Sequence, residues 1–103
     1  MYKLTFYVPD THVEDVKNAV FAAGAGRIGN YEACSWQVVG QGQFRPLLGA
    51  TPFIGQPDQL ETVAEWRVEM VVEEIHIHNV IVALKQTHPY ETPAFDVLKV
   101  DFC

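Results

Sequence analysis

His88 and Glu91 stand three residues apart in His88-Pro89-Tyr90-Glu91-Thr92-Pro93, and the two prolines stiffen the backbone that carries them. An imidazole and a carboxylate in fixed orientation could serve as an acid–base pair, or could hold a divalent metal, with His12 as a further candidate ligand. The same residues also have an architectural use. His88 could cap the last carbonyls of a helix, Tyr90 could pack, and Glu91 could hydrogen-bond or form an ion pair with Arg45 or Arg67. Both uses stay open from sequence.

Other chemistry-bearing groups say less. His76 and His78 fall where helical spacing is expected, and positions two apart on a helix point to nearly opposite sides, so they read as solvated histidines. Gly24-Ala25-Gly26-Arg27-Ile28-Gly29 spells GxGxxG, but a dinucleotide fingerprint needs a strand before it and a helix after it, and here the order is reversed. It reads as a glycine-rich helix exit whose amides, with Arg27, are candidates for holding an anion. Cys34 and Cys103 have no tight spacing and no neighbouring Cys/His doublet; reduced thiols are expected, and pairing would need the C-terminus beside the second strand. No serine or cysteine has an activating context, so no catalytic residue is assigned.

The bulk properties narrow the classes. One hundred and three residues, 49% of them hydrophobic and 19% charged, fit a single folded domain over 1–103. A formal charge of -6 opposes nucleic-acid binding, which relies on lysine and arginine displacing counterions. No apolar run approaches the roughly 20 residues that span a bilayer, and the start passes directly into strand-like alternation, so no membrane association and a cytoplasmic location are expected.

The elements that must position these residues follow from periodicity. Tyr2, Leu4, Phe6 and Val8 alternate with Lys3, Thr5 and Tyr7, a first strand that Pro9 ends. Thr11 and Glu14 match a capping box, Val13, Val16, Val20 and Phe21 continue as a helical stripe, and Gly24 is a natural stop. Cys34, Trp36 and Val38 form a second strand, with Gly40-Gln41-Gly42 allowing a hairpin reversal into Gln43-Phe44-Arg45. The stretch from Pro46 to Asp58 is too rich in Pro and Gly for regular structure, yet Leu47, Leu48, Phe53 and Ile54 are too apolar for a solvated loop, so it should dock. Ala64, Trp66, Val68, Met70 and Val72 give a long third strand. Ile77, Val80, Ile81 and Leu84 give a second helix, with Glu73 and Glu74 at its positive end and Pro89 closing it near His88. In the last strand Phe95 and Val97 share one parity while Leu98, Val100 and Phe102 share the other, which predicts a bulge or a change of covering partner before the end near Cys103.

Strand, helix, strand with hairpin extension, strand, helix, strand is the ferredoxin-like βαββαβ order: an α+β fold with two helices on one face of an antiparallel sheet. Its other face lacks cover from the same chain. Apolar residues at both parities, Val38 with Val39 and Val71 with Val72, lead to the expectation of a homo-oligomer packed through that face.

Four strings carry a resemblance: Gly24-Ala25-Gly26-Arg27-Ile28-Gly29-Asn30-Tyr31, Phe44-Arg45-Pro46, Gly49-Ala50-Thr51-Pro52-Phe53-Ile54-Gly55 and His88-Pro89-Tyr90-Glu91. In this order they resemble a stand-alone version of the domain inserted in the Ngg-interacting-factor-three-like family, YqfO type, itself similar to CutA and PII signalling proteins. The resemblance implies a PII- or CutA-like subunit that forms trimers, with the Thr51 region as an effector or partner arm. Two-domain members of that family hold a dinuclear metal site that includes a paired histidine motif, and this chain has no His-His pair. The resemblance therefore favours a non-catalytic regulatory or binding module, for a small-molecule effector or a protein partner, with Arg27, Asn30, Arg45, Thr51, His88, Tyr90 and Glu91 as candidate ligand-binding residues. No resident cofactor is expected, a divalent ion at His88 and Glu91 being the alternative. A purely structural interaction subunit is the other reading.

Overall fold

The computed structural model describes residues 1–101, in the order β1 (Tyr2–Pro9), α1 (Val13–Ala22), β2 (Trp36–Phe44), β3 (Glu61–Val72), a 3-10 turn (Glu74–His76) leading into α2 (Ile77–Thr87), and β4 (Phe95–Lys99). The strands form one sheet in the order β2-β3-β1-β4, antiparallel at every pairing. This is the ferredoxin-like α+β arrangement.

Strand parity decides which residues enter the core. Leu4, Phe6 and Val8 are fully buried, and their partners across the sheet, Met70, Val68 and Trp66 on β3 and Val97 and Phe95 on β4, share their face. Against that face lie Val13, Val16 and Val20 of α1 and Val80 and Leu84 of α2, at the three-to-four-residue spacing that places side chains on one helical stripe.

Four expectations need correction. The chain does not reverse at Gly40-Gln41-Gly42: β2 runs straight through them, paired with β3 from Trp36↔Glu69 to Phe44↔Glu61. The reversal lies in residues 45–60, where Gly49 and Gly55 adopt the left-handed backbone. Gly42 matters for space instead, because a Cβ there would collide with the Glu65 carboxylate. The hairpin extension does exist, as the β2–β3 ribbon.

The capping box does not form: the N-cap of α1 is His12 with no side-chain cap, and Thr11 Oγ1 bonds His12 Nδ1 at 2.7 Å. The second strand begins at Trp36, because Cys34 turns its N–H to Gly26 O at 2.9 Å. Finally, β4 pairs with β1 in unbroken register from Phe95↔Phe6 to Lys99↔Tyr2, without a bulge. Its mixed parity reflects two apolar faces: Phe95 and Val97 turn to the core, Leu98 to the uncovered side. The strand ends at Lys99, with Val100 and Asp101 outside it, short of the expected run toward Cys103; Phe102 and Cys103 lie outside the described residues.

A core this small leaves little room for loss. Leu84→Ala should destabilise the protein by about 2–5 kcal/mol, from lost apolar transfer plus the cavity left between α2 and the sheet. Urea denaturation followed by circular dichroism checks it; a change below about 1 kcal/mol would show that α2 does not seal the core.

Candidate functional site

The β2–β3 ribbon determines where a site can form. Four residues of β3, Glu61 to Ala64, continue past the end of β1 and pair only with β2. Beyond the helix layer the ribbon must be closed by loops, and the segment 45–60 folds back against the turn that follows α2. The result is a cavity of about 450 Å³ lined by Phe44, Arg45, Leu47, Phe53, Glu65, Tyr90 and Glu91, among others.

Three contacts fasten the loop. Glu91 Oε2 accepts the Thr51 N–H at 3.0 Å, forty residues away in sequence. The Phe53 ring stands edge-on to His12 at 5.3 Å between centroids, and the same ring lies 6.4 Å from Tyr90. Phe44, at the end of β2, approaches Tyr90 from another side at 6.2 Å. The expected docking of the apolar loop is thus met only in part: Phe53 is held by its ring contacts while half exposed, and Leu47 and Leu48 stay exposed.

His88 ties this region to the sheet. Its Nε2 donates to Tyr7 O at 2.7 Å, which leaves Nδ1 as the acceptor for the Tyr90 N–H at 3.1 Å. The ring therefore staples the end of α2 to β1 and shapes the Tyr90 turn; only its backbone N–H, bonded to Leu84 O, completes the helix. Burial, with a smaller effect from His12, holds the His88 pKa below the ordinary histidine value, against the Tyr7 carbonyl and the Glu65 charge, which raise it.

Tyr90 carries the other shifted group. Its hydroxyl oxygen is buried without a hydrogen-bond partner among the described residues. Burial first, then hydrogen bonding and charge from the neighbouring Glu65 carboxylate, which approaches the hydroxyl outside strict hydrogen-bond geometry, push its pKa well above the usual tyrosine value, so the hydroxyl keeps its proton.

The candidate residues divide between the two ends of the sheet. Arg45, Thr51, His88, Tyr90 and Glu91 come together at the ribbon end. Arg27 and Asn30 do not join them: they are exposed on the glycine-rich exit of α1, where Gly26 N–H bonds Val71 O near the other end of β3. Val71 is six residues from Glu65, about 20 Å along a strand. The backbone at Gly24 and Gly26 is left-handed, which fits a helix exit, and the His76 ring packs where a Gly24 side chain would stand. The expected pairing of Glu91 with Arg45 or Arg67 is replaced by the Thr51 amide, while Arg67 reaches Glu69 at 3.3 Å.

Sequence reasoning missed Phe44 and Glu65 as cavity residues. Both looked like ordinary members of an alternating strand, and Gly42, whose bare backbone makes room for the Glu65 side chain, was the only local signal.

No family model matches the chain. Among curated proteins, it is 50% identical over 95 residues to the GTP cyclohydrolase 1 type 2 homolog of Mycobacterium leprae, and 44% identical over 99 residues to that of Bacillus subtilis. These matches cover 92% and 96% of this chain but only 25% and 26% of those proteins. The crystal structure of a Bacillus cereus protein related to NIF3 superposes with a TM-score of 0.83 at 40% identity, covering 98% of this chain and 26% of that one. That decides the kinship. The chain is homologous to a domain-sized part of the NIF3-related proteins. The PII-like protein CutA from Nostoc shares the fold over 98% of this chain and 82% of its own, with a TM-score of 0.69 at 20% identity. The chain thus spans about a quarter of the curated relatives' length and most of a CutA chain.

The His88 staple gives a pH dependence whose sign is fixed. Because the folded pKa is lowered, the unfolded chain takes up the proton first as pH falls. Stability is then full above the ordinary value of 6.5 and declines through the interval beneath it, as protonated Nδ1 loses the Tyr90 N–H. Denaturant midpoints measured from about pH 7.5 down to about 5.5 should fall for the natural protein and stay flatter for His88→Gln. Equal slopes would show that another group controls this range.

Proposed function

We propose that this chain is a cytoplasmic, non-catalytic, homo-oligomeric binding module of CutA/PII-like build, holding a small-molecule effector in the cavity between residues 45–60 and the Tyr90 turn. The observation that supports it most is the cavity's construction: an apolar arm fastened to a rigid turn by one carboxylate–amide bond and ring contacts. Such a site encloses a ligand by moving one loop.

The non-catalytic part rests on how the candidate residues are occupied. Both His88 nitrogens hold backbone groups and Glu91 holds the Thr51 amide. A metal at His88 and Glu91 would first have to displace these bonds, and among the described residues no three His, Cys, Asp or Glu side chains cluster as metal ligands. The name of the curated relatives describes proteins about four times as long, and it supplies no activity here.

Homo-oligomerisation is supported by the uncovered sheet face and by the β2 edge; a trimer is the state that the resemblance to CutA and PII proteins implies. On that face Trp36 and Leu98 remain 60% and 59% exposed, on either side of a central Lys3–Glu69–Arg67 ion group. Strand β2, WQVVGQGQF, contains no charged residue and no proline over nine positions, whereas a solitary edge strand is normally blunted by such residues. No helix among the described residues is long and apolar enough to cross a membrane.

Light scattering of the purified protein at micromolar concentration should give a multiple of 11.6 kDa, and Trp36→Glu combined with Leu98→Glu should shift it toward the single-chain mass with the circular dichroism spectrum kept. A monomeric natural protein overturns the assembly. A metabolite thermal-shift panel should contain a compound whose stabilisation is lost in Glu91→Ala; a flat panel overturns the effector.

A further inference from the structure

The cavity has a chemical bias that follows from its charges and rings. Glu65 is half-buried at its floor and forms no ion pair among the described residues. Its carboxylate lies close enough to the Tyr90 hydroxyl to raise its pKa by hydrogen bonding and by charge, although the contact falls outside strict hydrogen-bond geometry, and no cation stands beside it among the described residues. A half-buried carboxylate with no cation beside it favours a ligand that brings one.

The rings around it point the same way. Phe44 and Phe53 each approach Tyr90, at 6.2 and 6.4 Å between centroids, and all three line the cavity. Aromatic faces attract a cation within about 6 Å of the ring centre, most strongly when the cation is poorly hydrated. Arg45, the cationic residue in the lining, is exposed, where water screens it. The protein as a whole carries a charge of -6, which raises the local concentration of cations.

We infer that the cavity binds a small organic ammonium ion with an apolar body, seated against Phe44, Phe53 and Tyr90 with Glu65 as its counter-ion. A strongly hydrated metal ion would gain little from the three rings, and an anion would face the half-buried Glu65. The inference rests on the proposal that this cavity is the binding site, and the experiment separates the two.

Choline and its neutral isostere 3,3-dimethyl-1-butanol are titrated into the full chain up to about 10 mM, with the aromatic ring signals of Phe44, Phe53 and Tyr90 followed by NMR. Choline should bind about tenfold more tightly than the neutral isostere, and Glu65→Gln should reduce that preference to about twofold. Phe53→Leu, which keeps the apolar bulk but removes the ring, should weaken choline several-fold more than it weakens the alcohol, so the idea stays testable even if Glu65→Gln fails to fold. Equal affinity for the two probes, with the ring signals shifting, overturns the cation and leaves the cavity as a binding site. Ring signals that neither probe moves overturn both.

Discussion

The eight-residue pairing of β1 with β3, from Tyr2↔Val72 to Pro9↔Glu65, is the constraint from which the other features follow. Because strand side chains alternate, that one register commits Leu4, Phe6, Val8, Val68 and Met70 to the helices and Lys3, Thr5, Arg67 and Glu69 to the opposite face. It also decides where β1 stops. The surplus length of β3 has β2 as its only strand partner, so a two-stranded ribbon leaves the layered part of the molecule without a helix over it. Isolated ribbons are marginal in water. The loop 45–60 and the Tyr90 turn close on its end, and their incomplete closure is the cavity.

His88 connects the two parts. A histidine in that turn could have been a reactive group, but its ring spends both nitrogens on backbone atoms: the Tyr7 carbonyl, beyond the last β4 pairing, and the Tyr90 amide. Buried backbone groups left unpaired are expensive, so this use of the imidazole competes directly with metal or proton chemistry. Glu91 behaves alike. Its carboxylate holds the arm through the Thr51 amide, which makes it a fastener whose release would open the cavity.

Much of the layered part was legible in the sequence because its signals are periodic. The alternation in Tyr2–Val8 and Ala64–Val72 and the stripes Val13-Val16-Val20 and Val80-Leu84 each report which side meets the core, and the structure uses each that way. Where a local signal competed with tertiary pairing, pairing won. Gly40 and Gly42 resemble a turn, yet β3 offers β2 a continuous ladder, and Gly42 is bare to admit Glu65. Thr11 and Glu14 have capping-box spacing, but Thr11 is drawn to His12, itself in contact with Phe53 of the distant loop. The site was legible only in part for a similar reason: Arg27 and Arg45 look equivalent as isolated cations, and nothing local says that one lies near Val71 and the other past Glu61.

The position of the cavity relative to the uncovered face bears on any regulation. Phe44 pairs with Glu61, and Glu65 shares its parity with Arg67 and Glu69, so the floor of the cavity belongs to the same side of the sheet as the Lys3–Glu69–Arg67 group, Trp36 and Leu98. Lys3 bonds Glu69 at 2.8 Å, and this bond is the main reason the Glu69 carboxyl sits below its usual pKa. The ion group is thereby satisfied within one chain, while Glu65, four residues along the same strand face, has no ion-pair partner among the described residues. If a second copy packs on that face, Glu65 becomes still less hydrated, and the worth of a cation beside it rises as the local dielectric falls. Ligand binding and assembly would then be coupled through one carboxylate, each favouring the other by the same free energy.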